Sequence, residues 1–241
     1  MSYIVSGGHS PIAISISKKL SLRGKVFHLT RKIDNELVHQ LQDRSGSIIL
    51  EEWDLSNTED CLFKLRNKLD EESIDGIIFA HRYREESSDN LKQFIVEVET
   101  PFQLVKTYGS LNLPQVCVVF ITSPADKNIL SDQPFAYHAN KAAITQLIRY
   151  SAVNYRGRNY RFNGVSPGGF IRKERSEHFY KLNPHLVNSI NNFIPLGRAG
   201  ETSEIASVVN FLLSDDASYI NGEIITVDGG YSVMEPAYKL Q

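Results

Sequence analysis

A tyrosine and a lysine stand at a spacing that suits proton transfer. Tyr137 and Lys141 are four residues apart in a stretch with helical periodicity, so their side chains share one helix face and can converge. A phenol with its ordinary pKa of about 10 is a poor acid–base group at neutral pH, and a neighbouring cation lowers that pKa. Ser123, predicted at the end of a strand, is placed to hold a substrate oxygen beside the phenol. Together these residues indicate general acid–base chemistry on an alcohol or a carbonyl group.

A glycine turn near the start of the chain is typical of a nucleotide-binding site. The first predicted strand runs into a Gly-Gly pair that begins at Gly7, where the backbone can approach a ligand closely. Ser10 is a good N-cap and Pro11 suits the first helical position. The amides of Ile12 and Ala13 are then expected to point from a helix N-terminus towards a pyrophosphate. A tight strand–helix turn without a ligand is the alternative.

The residues after the second predicted strand bear on the type of nucleotide. A carboxylate at this strand tip would hydrogen-bond a ribose 2′-hydroxyl, but the position holds Thr30, followed by Arg31 and Lys32. An arginine fork suits a 2′-phosphate instead. We therefore expect NADP(H) to be favoured over NAD(H), with a solvated loop as the alternative interpretation of the two cations.

Short apolar, β-branched runs alternate with longer amphipathic stretches, which indicates a parallel sheet with helices on both faces. We expect an α/β fold with one doubly wound sheet of about seven strands. Ligands of such folds bind at the carboxyl ends of the strands, near the switch in strand order. The predicted strands are 3–5, 25–29, 47–50, 76–79, 116–121, 161–165 and 223–227, and the predicted helices lie near 12–22, 60–69, 91–111, 137–155 and 203–213.

Composition excludes several other classes of protein. The 26 basic and 28 acidic residues give a net charge of −2, so there is no bulk electrostatic case for a nucleic acid or an anionic membrane as partner. Neither cysteine has a metal-ligand spacing, and no apolar run approaches the length of a membrane span. The first residues lack the features of a signal peptide. We expect a single cytoplasmic domain over residues 1–241, without a metal.

The order of the motifs along the chain carries more information than any one of them. Taken alone, a Tyr-x-x-x-Lys pattern is also explained by packing beside a surface lysine. Here a glycine turn is followed by Ser123, then by Tyr137 and Lys141, and then by Ser166-Pro167-Gly168. This order resembles the classical short-chain dehydrogenase/reductase family, and the resemblance covers nearly the whole chain.

The resemblance implies a role for each matching segment. Asp54, in Trp53-Asp54-Leu55, is similar to the acidic residue of the family that meets the adenine ring. The segment that ends at Gly168 is similar to the nicotinamide-side loop. The expected catalytic residues are Ser123, Tyr137, Lys141 and Glu97, and the expected cofactor contacts are Gly7, Ser10, Ile12, Arg31, Asp54, Leu55, Ala80, Tyr137, Lys141, Pro167, Gly168 and Phe170.

The sequence departs from the family pattern at three places. Pro11 and Ala13 stand where the turn usually has its second and third glycines. Phe79-Ala80-His81-Arg82 replaces the usual Asn-Asn-Ala-Gly, and Arg82 is interpreted either as a phosphate contact or as a solvated side chain. Glu97 stands where the family has an asparagine whose main-chain carbonyl holds a proton-relay water. Pro101, four residues later, has no N–H, so we expect the freed carbonyl to keep the relay, with a simple kink as the alternative.

The function expected from these residues is reduction of a carbonyl, or oxidation of the alcohol, with substrate possibilities that include a sugar or a small keto compound. The rival within the same class is a 3-oxoacyl-thioester reductase. A catalytically weak or dead nucleotide-binding Rossmann subunit is the alternative of another class, favoured by the three departures. We expect a homodimer or homotetramer, as in the family, and a substrate lid at about 170–193, where the helical and strand patterns weaken.

Overall fold

The computed structural model describes residues 1–42, 46–83, 89–111, 113, 115–169, 171–172 and 192–235. The described strands are β1 (Ser2–Ser6), β2 (Lys25–Thr30), β3 (Ile48–Glu52), β4 (Gly76–Phe79), β5 (Val116–Ile121), β6 (Tyr160–Pro167), β7 (Ile171–Arg172), β8 (Gly200–Glu201) and β9 (Ile224–Val227). Seven of them form one parallel sheet in the order β3-β2-β1-β4-β5-β6-β9, and β7 pairs with β8. The predicted α/β class with about seven strands is confirmed, and the strand order switches between β1 and β4.

Helices cover both faces of the sheet. The described helices are α1 (Pro11–Ser21), α2 (Asn35–Leu41), α3 (Thr58–Glu71), α4 (Asn90–Phe94), α5 (Thr100–Ser110), α6 (Phe135–Asn154) and α7 (Thr202–Leu212). Helices α1 and α7 pack against each other and against one face of the sheet. Helices α3, α5 and α6 pack against the other face. The sheet is therefore the middle of three layers, and its strand ends are left open for a ligand.

The central strand β5 contributes to both apolar cores. Val116, Val118 and Phe120 pack in the core on the side of α3, α5 and α6, whereas Cys117 and Val119 pack on the side of α1 and α7. Successive side chains of a strand point to opposite faces, so a strand between two helical layers must be apolar throughout. Both cysteines of the chain are buried and free.

Helix α2 is absent from the sequence-based prediction. Asp34 caps it, because the Asp34 carboxylate accepts a hydrogen bond of 2.9 Å from the Leu37 amide. The helix has seven residues, and only Leu37 and Leu41 are buried. Two apolar positions are too few to establish a helical period in a sequence, so this element was missed.

The long helix predicted over 91–111 is interrupted in its middle. A π turn over Ile95–Glu99 joins α4 to α5, and the Thr100 amide donates to the carbonyl of Ile95, five residues back. Pro101 follows directly and has no amide to donate, which favours a change in hydrogen-bond pattern at this point. Within the turn, Glu97 and Val98 are buried. The interruption therefore coincides with the segment that carries a buried carboxyl group.

Some expectations fall outside the described residues. Phe170 and most of the predicted lid at 170–193 are among them. Among the helices that the structure describes, none is both long enough and apolar enough to cross a bilayer.

The packing of α1 against α7 supports a direct test of core stability. Leu20 is fully buried between these helices, whereas Leu22, at the end of α1, is 83% exposed. We expect Leu20→Ala to lower the free energy of unfolding by about 3 kcal/mol, because the substitution leaves a cavity. The matched control Leu22→Ala should change it by less than about 0.5 kcal/mol. Urea unfolding followed by circular dichroism measures both values, and equal effects would contradict this packing.

Candidate active site and cofactor cleft

A cleft of about 390 Å³ opens where β1, β2, β3 and β4 end. Four of the residues predicted to contact a cofactor line it: Gly7, Arg31, Asp54 and Leu55. Ala80 follows β4 directly, and its amide donates to the carbonyl of Ser6 at 2.9 Å. The cleft lies at the carboxyl edge of the sheet beside the strand-order switch, and its volume is in the range of small-ligand sites.

The glycine turn is fixed by contacts that leave no room for larger side chains. The amides of Gly7 and Gly8 donate to the carbonyl of Leu29 at 3.3 and 3.0 Å. A Cβ atom on Gly7 would lie 2.2 Å from the Cβ of Ala13, so the turn and the helix are in close contact. Gly8 has a φ of +48°, a conformation that side chains disfavour. Ala13 fits where the family has glycine because Gly7 supplies the space.

The N-terminus of α1 offers fewer free amides than the sequence suggested. The Ser10 hydroxyl accepts from the Ala13 amide at 3.5 Å, and the Ser10 carbonyl accepts from the Ile14 amide at 2.9 Å. Pro11 has no amide to offer. Of the two amides predicted to face a pyrophosphate, the Ala13 amide is therefore engaged by the cap, and that of Ile12 is the candidate donor.

A buried histidine stabilises this turn through hydrogen bonds, and it was not among the residues predicted from the sequence. His28 on β2 bridges Ser17, whose hydroxyl lies 2.8 Å from Nδ1, and the Gly8 carbonyl, 2.8 Å from Nε2. Burial lowers the pKa of His28 to about 4. The imidazole is therefore neutral at pH 7, with Nε2–H donating to Gly8 and Nδ1 accepting from Ser17. The sequence signal that could have predicted this role is the position of His28 between the apolar residues Phe27 and Leu29 of β2.

The basic residues after β2 line the cleft together with one cation from another element. Arg31 and Lys32 stand at the strand tip, and Lys92 reaches the cleft from α4. The Asp54 carboxylate is held by the Ser56 amide and hydroxyl at 3.0 and 2.8 Å. This end of the cleft combines several cations with a fixed carboxylate, a donor set that suits a phosphorylated ribose and a base. Sequence analysis missed Lys92, because only the fold brings α4 beside the tip of β2.

The three residues of the predicted acid–base chemistry lie at the same edge of the sheet. Tyr137 and Lys141 are buried on one face of α6, and the Lys141 Nζ lies 5.6 Å from the centre of the Tyr137 ring. Ser123 is buried beyond the end of β5, where its hydroxyl accepts from the Ala125 amide at 3.2 Å. The fold thus gives each predicted side chain a defined position beside the strand ends.

The unusual loop after β4 is anchored by a histidine. His81 lies 2.7 Å from the Ser6 hydroxyl through Nδ1 and 2.9 Å from the Val96 carbonyl through Nε2. Burial, together with the charge of Lys141, lowers the pKa of His81 to about 4. The neutral ring therefore ties the loop both to β1 and to the π turn. This is how the structure accommodates the loss of the family's usual Asn-Asn-Ala-Gly.

Glu97 and Arg82 both approach the Tyr137–Lys141 pair. The Glu97 carboxyl is 1% exposed and accepts from the Tyr83 amide at 2.9 Å. Burial lowers the pKa of Lys141, the Glu97 charge opposes that shift, and the Arg82 charge adds to it. The guanidinium carbon of Arg82 lies 4.2 Å from the centre of the Tyr137 ring. The relay predicted through the main-chain carbonyl of residue 97 stays a prediction.

On the far side, β6 ends beside a second and smaller cavity. Gly168, which follows Pro167, lines it together with Asp228. A Cβ atom on Gly168 would lie 2.7 Å from the Asp228 Cβ, and the Gly168 amide donates to the Val227 carbonyl at 3.0 Å. Glycine is therefore required here for close contact between two segments. Among the described residues, no group of three His, Cys, Asp or Glu side chains is placed to hold a metal ion.

Comparisons with known proteins match this architecture. The family model described as enoyl-(acyl carrier protein) reductase matches residues 9–232. Galactitol 2-dehydrogenase (L-tagatose-forming) of Cereibacter sphaeroides is 32% identical over 162 residues, 66% of this chain and 63% of that protein. A 3-oxoacyl-[acyl-carrier-protein] reductase of Thermotoga maritima is 32% identical over 136 residues, 56% of this chain and 50% of that protein. A solved structure of a 4-hydroxyisoleucine dehydrogenase mutant complexed with NADH and succinate is 27% identical, with a TM-score of 0.80 and coverage of 98% and 100%.

The chain belongs to the classical short-chain dehydrogenase/reductase family, whose members are NAD(P)-dependent oxidoreductases. The resemblance seen in the sequence is thereby confirmed. The aligned part of the chain spans about two thirds of the first of these curated relatives and half of the second.

The buried His28 makes stability depend on pH in a defined direction. An unfolded histidine takes up its proton near pH 6.5, whereas folded His28 does so only near pH 4. Its contribution is therefore complete above pH 6.5 and is lost as the pH falls towards 4, by up to about 3 kcal/mol. We expect His28→Gln to flatten the fall in unfolding free energy over this range, measured by urea unfolding at pH 7, 6, 5 and 4. The exposed His39 gives the control, since His39→Gln should leave the slope unchanged.

Proposed function

We propose that this protein interconverts a carbonyl compound and its alcohol with NADP(H). One observation carries the proposal: Tyr137 and Lys141 are buried on a single face of α6, with Nζ 5.6 Å from the phenol ring, beside the carboxyl edge of the sheet. If this position served packing alone, an apolar side chain would stabilise the fold better than a buried ammonium. The buried lysine beside the phenol therefore supports a chemical role. The same pair gives a proton donor and the charge that activates it.

Each side chain has one task in the proposed reaction. When bound, the nicotinamide supplies hydride for reduction or accepts it in oxidation. Ser123 hydrogen-bonds the substrate oxygen and polarises the carbonyl. Tyr137 donates its hydroxyl proton to that oxygen in reduction and accepts it in the reverse direction. Lys141 stabilises the resulting phenolate by its charge and also holds the ribose of the cofactor.

The residues around the cleft fit a dinucleotide. Gly7 allows close backbone approach, and the Ile12 amide, with Ser10 as the cap, faces the expected place of the pyrophosphate. Arg31 supports the preference for NADP(H), because its guanidinium stands at the tip of β2 with further cations near it. The other proposed contacts are Asp54, Leu55, Ala80, Pro167, Gly168 and Phe170, of which Phe170 lies outside the described residues.

The substrate that we propose is a small polar carbonyl compound, such as a sugar or a keto compound. The names of two similar proteins, a galactitol 2-dehydrogenase and a 4-hydroxyisoleucine dehydrogenase, support a small hydroxylated substrate. The name of a third supports the rival, a 3-oxoacyl thioester. The ratio of kcat/KM for a ketose and for a 3-oxoacyl thioester, measured side by side, distinguishes the two.

We further propose that the chain forms one domain, acts in the cytoplasm, and assembles as a homodimer or homotetramer. The support for assembly is its membership of a family that pairs through the middle helices, together with exposed apolar side chains such as Val153 on α6. Sedimentation of the purified protein measures the oligomer number.

Removal of a single hydroxyl tests the catalytic proposal. We expect Tyr137→Phe to lower kcat by at least about 100-fold with a carbonyl substrate and NADPH, because the proton donor is lost. NADPH affinity should stay within about twofold of the wild type, since the phenol ring is retained. The matched control is Tyr150→Phe, which removes the hydroxyl of an exposed tyrosine on the same helix and should leave kcat unchanged. Full activity of Tyr137→Phe would exclude the proposed acid–base role.

Binding titrations of the wild type with NADPH and NADH, read by the fluorescence of the reduced nicotinamide, test the cofactor preference. We expect tighter binding of NADPH, and we expect Arg31→Ser to weaken it by about 10-fold through loss of one charged hydrogen-bonding group. The affinity for NADH serves as the internal control, because it lacks the 2′-phosphate. Preferential binding of NADH would reverse the assignment, and failure of both to bind would favour a protein without this activity.

A further inference from the structure

The carboxyl group of Glu97 is enclosed beside the proposed catalytic lysine. Its Oε1 accepts from the Tyr83 amide at 2.9 Å, but its Oε2 is inaccessible and has no hydrogen-bond partner among the described residues. A buried carboxyl oxygen in this state needs a compensating charge. Lys141, only 3% exposed, supplies one, since Glu97 acts on it electrostatically and the π turn packs against α6.

A carboxylate in this position has a consequence for the phenol. The charge on Lys141 favours the phenolate form of Tyr137, and the opposite charge on Glu97 cancels part of that effect. The family's asparagine at this position carries no charge. If Glu97 were the only change at this site, the positive potential at the Tyr137 phenol would therefore be smaller than in a site with asparagine at this position.

Arg82 brings a second cation to the same phenol. Its guanidinium carbon lies 4.2 Å from the centre of the Tyr137 ring, closer than the 5.6 Å of the Lys141 Nζ. Its hydrogen-bond partner is the neutral side-chain oxygen of Gln133. None of the ion pairs found within the described parts of the chain includes Arg82. The guanidinium of this exposed side chain thus lies over the face of the tyrosine ring.

We propose that Glu97 and Arg82 are a compensating pair of positioning residues: Glu97 keeps the buried Lys141 protonated, and Arg82 restores at Tyr137 the positive potential that Glu97 removes. The inference rests on the proposed function, in which Tyr137 is the proton donor. Two cations and one carboxylate leave a single net positive charge around the phenol, the same formal charge that a lone lysine would supply. Both residues depart from the family pattern, and the proposal explains the two departures together.

Further titratable groups lie around Tyr137 within the described parts of the chain. His81 is neutral at pH 7 because burial lowers its pKa to about 4. The His138 ring, 6.2 Å from that of Tyr137, accepts the Leu130 amide through Nε2, as a neutral imidazole does. Asp126 accepts a hydroxyl hydrogen bond from a residue two turns further along α6, and Lys92 faces the cofactor cleft.

A double-substitution cycle tests the compensation in the full-length protein. Tyrosine labelled with ¹³C at Cζ allows the phenol of Tyr137 to be titrated by NMR, with Tyr137→Phe assigning its signal. We expect Arg82→Gln to move the titration midpoint upwards by about one pH unit, and Glu97→Gln to move it downwards by a similar amount. The double variant should return close to the wild type. In turnover, alcohol oxidation requires the phenolate as proton acceptor, so the acidic limb of the profile of log kcat/KM against pH should shift in the same directions.

The controls separate this proposal from the function on which it rests. Arg66→Gln, on the exposed face of α3, removes a matched charge and should leave the midpoint unchanged. Midpoints that do not move in Arg82→Gln would overturn the compensation, even if the enzyme turns over a carbonyl substrate. Expected midpoint shifts in a protein without turnover would uphold the compensation and contradict the proposed function. Glu97→Gln retains a side-chain acceptor for the Tyr83 amide. If circular dichroism shows that this variant does not fold, the titration midpoint of Tyr137 in Arg82→Gln alone decides whether the compensation is upheld.

Discussion

Burial of the Lys141 ammonium is the constraint on which the site depends. Only 3% of this residue is exposed, and an isolated charge in such a place would lose its proton or destabilise the fold. Of two side chains near Lys141, one offsets its charge and the other carries no charge itself. Glu97 supplies an opposite charge, whereas His81 is kept neutral because burial and the charge of Lys141 lower its pKa. The π turn and the loop after β4 are therefore parts of one electrostatic arrangement.

The parallel sheet makes this arrangement possible by collecting distant segments at one edge. Residues that follow β1, β2, β3 and β4 line a single cleft, because all parallel strands end on the same side. The central strand β5 is apolar on both faces because helices cover both sides of it. His28 is an exception inside a strand, and it is accepted because both ring nitrogens have partners.

The family pattern has been changed here without loss of the contacts that the fold requires. In the glycine turn, Gly7 lies in close contact with Ala13, and Pro11 fills the first helical position. After β4, a histidine with two hydrogen bonds takes over the anchoring of the loop. The contacts of Gly7 and the hydrogen bonds of His81 thus give the turn and the loop defined positions in this chain.

Much of the fold followed from the sequence. The alternation of apolar runs predicted the sheet and five of the helical segments, because burial on both faces imposes a continuous apolar pattern, and the four-residue spacing of Tyr137 and Lys141 put both on one helix face. Helix α2 was missed, since two buried leucines establish no period. The opposition of Glu97 to Lys141 and the position of Arg82 over Tyr137 were decided only by the tertiary structure. They join residues from different elements, and electrostatic effects depend on distance and burial in space, which residue order does not fix.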